Sequence, residues 1–111
     1  MMNQIPDFFP EIKGFEWDEG NSEKNWRRHR VTSVETEQIF LNRPLIVAKS
    51  PRGTNGELRH FALGRTDLAR HLAVVFTLRG SLLRVISARP MSRRERRTYA
   101  QAEATQADST L

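Results

Sequence analysis

Arg70-His71-Leu72-Ala73-Val74-Val75-Phe76-Thr77-Leu78-Arg79-Gly80-Ser81-Leu82-Leu83-Arg84-Val85-Ile86-Ser87-Ala88-Arg89 is the stretch that decides the fold. Its two apolar runs, Leu72 to Phe76 and Leu82 to Ile86, are rich in the β-branched and aromatic residues that suit a pleated, half-buried surface. Between them Arg79-Gly80 supplies a residue free to take the positive φ of a tight hairpin turn. The stretch therefore reads as two antiparallel strands. Upstream, Glu57 to Leu63 alternates strictly, with Glu57, Arg59, Phe61 and Leu63 on one face and Leu58, His60 and Ala62 on the other. Leu45-Ile46-Val47-Ala48 is a further short strand. The segment Ser50-Pro51-Arg52-Gly53-Thr54-Asn55-Gly56 separates the two with the residues that a reversal needs.

Helices flank this β block. Asp18 caps a helix running to about His29, with Glu19 in its first turn and Arg27, Arg28 and His29 in its last, each charge complementing the end where it lies. Thr32 or Ser33 starts a second helix, with Glu35 in its first turn and Ile39 and Phe40 as anchors, and Asn42-Arg43-Pro44 stops it. Phe15-Glu16-Trp17 alternates as a short strand ahead of both. After Pro90, Ser92 and Glu95 stand at capping-box spacing and open a closing helix from Arg93 to about Glu103. The order strand, two helices, four strands, one helix predicts a single α+β domain. It has a mainly antiparallel sheet, two N-terminal helices and one C-terminal helix, with the helices on one sheet face and the other face left for a partner or for work. Residues 1–14 read as an irregular leader, 15–105 as the domain and 106–111 as a frayed tail.

With 111 residues the chain can build one modest core. It has no cysteine, which excludes a disulfide scaffold, a thiolate zinc site and a cysteine nucleophile. His29, His60 and His71 are too scattered for a metal site, so neither metal nor cofactor is expected. No apolar run approaches the roughly 20 residues that span a bilayer, and the first residues lack a signal-peptide pattern. The expectation is a soluble, cytoplasmic chain with no membrane partner.

Charge is the more informative quantity. Residues 1–42 hold five Lys/Arg against eight Asp/Glu, a balance of −3, whereas residues 43–97 hold thirteen against three, a balance of +10. Fifteen of the eighteen cations are arginine, whose planar guanidinium grips phosphate with two parallel hydrogen bonds and stacks on bases. The partner this favours is a polyanion, nucleic acid before membrane, because no amphipathic anchor is visible.

Five segments, in order, carry a resemblance: Phe15-Glu16-Trp17-Asp18-Glu19, Asn25-Trp26-Arg27-Arg28-His29, Gly56-Glu57-Leu58-Arg59, Val74-Val75-Phe76-Thr77-Leu78-Arg79-Gly80, and Arg84-Val85-Ile86-Ser87-Ala88-Arg89-Pro90 continuing through Arg93-Arg94-Glu95-Arg96-Arg97 to Tyr99. Together they resemble the BrnT toxin family over about residues 15–99. The resemblance implies a RelE-like small ribonuclease toxin, neutralised by a BrnA-type antitoxin that alone contacts operator DNA. Arg30 departs from the family, in which glycine commonly follows the histidine, and the leader has no counterpart there.

Read residue by residue, a metal-free ribonuclease needs a group to take the ribose 2′-hydroxyl proton, a group to return one to the leaving oxygen, and cations for the charge that builds on phosphate. Arg59, Arg79 and Arg89 could supply the cations. The competing readings are a cross-strand ion pair for Arg59, a solvated turn for Arg79 and an ion pair with Glu95 for Arg89. Arg89 stands in phase with Leu83, Val85 and Ser87, and Arg84 either meets RNA or pairs with acid from the first helix. Glu57 shares the face of Arg59 and could act as base or form a salt bridge. His29 could exchange protons or cap carbonyls, while His60 and His71 read as structural. Tyr99 could stack on a base. Arg93 and Arg97 form a helical stripe that could track phosphates or be covered by the antitoxin. Of the phenylalanines and tryptophans, assigned mostly to the core, Trp26 is the one allowed as a partner contact. The two early helices lean acidic, the wrong sign for a groove-reading non-catalytic module.

Overall fold

The hairpin of the opening stretch forms the centre of a five-stranded sheet. The computed structural model describes residues 12–50 and 58–109. In chain order it runs β1 (Gly14–Glu16), α1 (Glu19–His29), α2 (Ser33–Ile39), β2 (Ile46–Ser50), β3 (Arg59–Arg65), β4 (His71–Arg79), β5 (Leu82–Pro90) and α3 (Arg93–Ser109). The sheet order is β1-β5-β4-β3-β2. All neighbours are antiparallel except β1, which pairs parallel with β5 through Gly14↔Leu82 to Glu16↔Arg84.

The capping signals act as written. The Asp18 carboxylate accepts from the Asn21 backbone N–H at 2.7 Å, and Thr32 with Glu35 closes a reciprocal capping box at the start of α2. Ser92 and Glu95 do the same for α3, at 3.2 and 2.8 Å. Helix α1 ends at Arg30, whose φ of 54° is left-handed, the conformation that glycine reaches without strain. Between the paired Arg79 and Leu82 the loop residues are Gly80 and Ser81, one position later than the sequence suggests. Gly80, with φ +59°, is the residue that takes the positive angle.

One sheet face carries the larger core. Ala62, Leu72, Val74, Phe76, Leu83, Val85 and Ala88 pack there against Val31, Ile39 and Phe40 from the α1–α2 corner. Helix α2 lies so close to β3 that a Cβ on Gly64 would sit 2.8 Å from the Ile39 Cβ and 3.2 Å from its carbonyl oxygen. Backbone cannot yield there as a flexible side chain would, so Gly64→Ala is expected to cost about 1–3 kcal/mol in urea unfolding.

Helix α3 corrects the expectation that all helices share a face. Its Tyr99, with Met91, forms a second cluster with Leu63 and Ala73, which alternate to the opposite side from Ala62 and Val74. It covers only one end of that face. The helix also runs to Ser109, past the end suggested near Glu103, carried by alanine- and glutamine-rich turns with high helix propensity. No helix among the described residues is long and apolar enough to cross a membrane.

Candidate functional site

The sheet face that α3 leaves partly open is defined by cross-strand rows. Glu16↔Arg84, Arg84↔Thr77 and Thr77↔Arg59 form one row. Ser87↔Val75 and Val75↔Phe61 form the next, and Arg89↔Ala73 with Ala73↔Leu63 lies at the edge of α3. Arg79, two residues beyond Thr77, alternates to the same side. Arg59, Arg79, Arg84 and Arg89 therefore share one face. Arg59 and Arg84 flank Thr77, about 10 Å apart across two strand spacings, and the Arg89 row lies about 13 Å further along the strands. The half-buried Val75, Phe61 and Ser87 floor the space between. Among the described residues the result is an open trough of sheet face with arginine at both ends.

The placement of Arg89 corrects the phase read from the sequence. Strict alternation would send Ser87 and Arg89 to the core side with Leu83 and Val85. Instead β5 carries a bulge: Phe76 pairs with Val85 and Val75 with Ser87, which leaves Ile86 as an extra residue. One inserted residue inverts the facing of everything after it. Leu83, Val85 and Ala88 are thereby all fully buried, while Arg84, Ser87 and Arg89 face the trough.

Among the described residues, carboxylates hold Arg84 and Arg89. Arg84 grips Asp18, the α1 cap, and lies 3.8 Å from Glu16, so the pairing with acid is present in the free chain. The Asn21 backbone N–H and the Arg84 guanidinium together hold the Asp18 carboxyl below the usual carboxylate range. Arg89 makes a two-pronged pair with Glu95, Nη1 to Oε1 at 2.8 Å and Nη2 to Oε2 at 2.9 Å, and Nη1 also donates to the Pro90 carbonyl at 3.2 Å. A guanidinium has five N–H groups. The side-on edge, Nε–H with the second Nη2–H, makes no contact among the described residues. That edge can still take two oxygens of a phosphate.

The Arg89 guanidinium is also the main reason that the Glu95 carboxyl falls from an ordinary 4.5 to about 2, helped by the Ser92 backbone N–H against the opposing effect of burial. A depressed folded-state pKa stabilises the fold above the unfolded value and loses that contribution as pH falls from about 4.5 through about 2. Allowing for solvent screening of a pair whose arginine is 39% exposed, the contribution is about 1.5 kcal/mol. In acid denaturation Glu95→Gln is thus expected to show a shallower fall in stability below pH 5 than the wild-type chain. Asp18 and Glu35 titrate in both and cancel, so equal slopes would remove the Arg89 pair as a source of acid lability.

The other candidates are scattered. His29 ends α1 on the helical side of the sheet, where its carbonyl accepts from Arg70 at 3.1 Å. His60 is buried on that side, stacked 5.2 Å from Phe76, and burial, reinforced by Lys49, lowers its pKa. His71 sits under α3, 3.6 Å from Glu103. The trough rows thus contain none of the three histidines. Tyr99 is 1% exposed, with its hydroxyl donating to the Pro44 carbonyl at 2.6 Å and its ring edge-on to His71. It packs the core and offers no face to a base. Arg93 and Arg97 are exposed, but the 3.6-residue period turns them away from the sheet when Glu95, Tyr99 and Glu103 turn toward it. Glu57 lies outside the described residues. Trp26 is 47% exposed with the Arg30 guanidinium 5.1 Å from its ring centroid.

Among the described residues no group of three or more His, Asp or Glu side chains could hold a metal ion. A polar cavity of about 380 Å³ lined by Asn42, Arg65, Thr66, Asp67 and Ala69 lies by the β3–β4 turn, where Asn42 already bonds the Arg65 carbonyl and Asp67.

Fold and site together define a small α+β protein that presents arginines from three strands on one open sheet face. The chain belongs to the BrnT family, the ribonuclease toxin of type II toxin–antitoxin systems, whose family model matches residues 17–95. It is similar to the crystal structure of the Brucella abortus ribonuclease toxin BrnT, with a TM-score of 0.54 and 25% identity over 74% of this chain and 100% of that one. No curated protein matches it. The family shows a toxin of the ribonuclease kind and implies an antitoxin partner.

Proposed function

We propose that this chain is an endoribonuclease that cuts RNA without a metal ion, inhibits translation, and is neutralised by a BrnA-type antitoxin in a hetero-oligomeric complex. Operator DNA is reached only through the antitoxin. The observation that carries the reading is the shared facing of Arg59, Arg79, Arg84 and Arg89, with the side-on edge of Arg89 open. The ribose 2′-hydroxyl gives its proton to a carboxylate, and the 2′-oxygen bonds to the adjacent phosphorus. The phosphorus–O5′ bond then breaks, and the leaving oxygen takes a proton from water, giving a 2′,3′-cyclic phosphate and a 5′-hydroxyl. Glu57, two residues before Arg59 in a sequence that alternates, is the proposed proton acceptor. Arg89, Arg59 and Arg79 neutralise the charge that grows on the non-bridging oxygens. The need for a 2′-hydroxyl selects RNA over DNA.

Labelled RNA incubated with the purified chain and EDTA tests this: cyclic-phosphate ends support the enzyme. The absence of a histidine from the trough rows favours one rival, a non-catalytic nucleic-acid-binding module acting within a repressor complex. Tight, salt-sensitive binding that leaves the RNA intact would establish that rival instead.

A further inference from the structure

Helix α1 docks with almost no apolar contact of its own. Its large hydrophobic residue, Trp26, is half exposed, and its fully buried residue is polar, Asn25 at 2% exposure. What it sends to β5 instead is a pair of amides one turn apart. Asn21 Nδ2 donates to the Val85 carbonyl at 2.6 Å, and Asn25 Oδ1 accepts from the Ala88 backbone N–H at 3.1 Å. These two backbone groups bracket the extra residue of the bulge. The pairing of β1 with β5 stops at Glu16↔Arg84, so beyond it the asparagines take the place of a neighbouring strand. Asn25 does this at a cost, because its Nδ2 is buried and makes no hydrogen bond among the described residues. A buried donor left unmade is destabilising and calls for an explanation.

The apolar pattern Leu83, Val85, Ala88 requires one extra residue between Val85 and Ala88, but it does not hold that residue in one geometry. A bulge locally breaks the ladder and bends its strand. Here it immediately precedes Ser87 and Arg89, the two side chains it turns onto the trough. We infer that Asn21 and Asn25 are positioning residues of the arginine face: by clamping both ends of the β5 bulge they set the direction in which Arg89 leaves the strand. The inference rests on the nuclease reading for its effect on cleavage, but its structural part does not.

The test uses the full chain and the Glu95 carboxyl as reporter of Arg89, followed by carbon NMR from about pH 6 to pH 3. With its carboxyl at about 2 in the intact pair, Glu95 stays ionised across this range in the wild-type protein. Asn25→Leu exchanges one buried unmade donor, Asn25 Nδ2, for another, the Ala88 N–H, so the fold is expected to be retained, which circular dichroism checks. In that variant Glu95 is expected to titrate inside the window, and RNA cleavage to fall about ten- to hundred-fold, the size that a misplacement of about 1 Å produces. Asn25→Asp, which keeps an acceptor oxygen in the same place, restores both. Should Asn25→Leu fail to fold, Asn21→Ala, at a partly exposed position, is read the same way. A folded variant in which Glu95 stays ionised down to pH 3 overturns the inference. A Glu95 shift in a chain whose wild type cuts no RNA leaves the positioning role standing and removes the nuclease reading alone.

Discussion

Arg89→Ala is expected to lose RNA cleavage by about a hundred- to thousand-fold, the range measured when one preorganised donor to a developing oxyanion is removed. The fold is expected to survive. Glu95 keeps the Ser92 backbone N–H as partner, and the pair it loses is partly solvent-screened, so the loss of stability is about 1 kcal/mol. The distinguishing variant is Arg89→Lys. An ammonium preserves the charge, but it cannot hold Glu95 with one edge and a phosphate with another, so it is expected to recover little of the activity. Single-turnover cleavage and the salt dependence of RNA binding should be measured together. Loss of cleavage with a nearly unchanged salt slope places Arg89 at the chemistry rather than among the general phosphate contacts. Wild-type cleavage by Arg89→Ala would take Arg89 out of the site.

Much of this architecture is legible in the chain because its local signals agree. The caps at Asp18, Thr32 and Ser92, the Gly80 turn and the alternation of β3 each point to the element found there, and the element order follows. Two features escaped, each for a physical reason. The β5 bulge is invisible to a period-2 reading, which assumes that each residue opposes one partner. Its trace is that Leu83, Val85 and Ala88 can be buried together only if a residue between Val85 and Ala88 is extra. The facing of α3 escaped because its apolar signal is thin, so that a tyrosine in an arginine-rich helix looks like a binding residue. The phase of Tyr99 with Glu95 and Glu103, the residues that reach Arg89 and Arg65 across the sheet, is what marks it as inward.

The same logic applies to the site. The face of Arg59 could be read directly from alternation. The fate of Arg84 could not, because the carboxylate that claims it belongs to Asp18, 66 positions away in sequence. Asn21 and Asn25 gave a signal of another kind. They are spaced one turn apart on a helix without an apolar stripe, and such a helix must dock by hydrogen bonds if it docks at all.

Tyr99→Ala is expected to be the most destabilising of these substitutions, at about 3–5 kcal/mol, a large share of the 5–15 kcal/mol typical of a whole domain. The ring lies between Leu63, Ala73 and Met91 and against His71, and no solvent is available to fill the gap that alanine leaves. The damage should reach the trough, because α3 carries Glu95, and an undocked helix no longer presents that carboxylate to Arg89. Tyr99→Phe separates packing from chemistry. It keeps the ring and deletes only the hydroxyl, leaving the Pro44 carbonyl without its 2.6 Å donor, at a cost of about 1–2 kcal/mol by thermal or urea unfolding. Burial is the main influence that pushes the Tyr99 hydroxyl up to about 12, far from any pH at which it could exchange a proton with RNA. Cleavage by Tyr99→Phe should therefore stay within about two-fold of wild type under conditions where both are folded, since a buried phenol has no part in differential binding of the transition state. A tenfold loss of cleavage in a folded Tyr99→Phe protein would mean that α3 swings away to expose this ring when RNA binds, and that the trough is wider in the working enzyme than in the free chain.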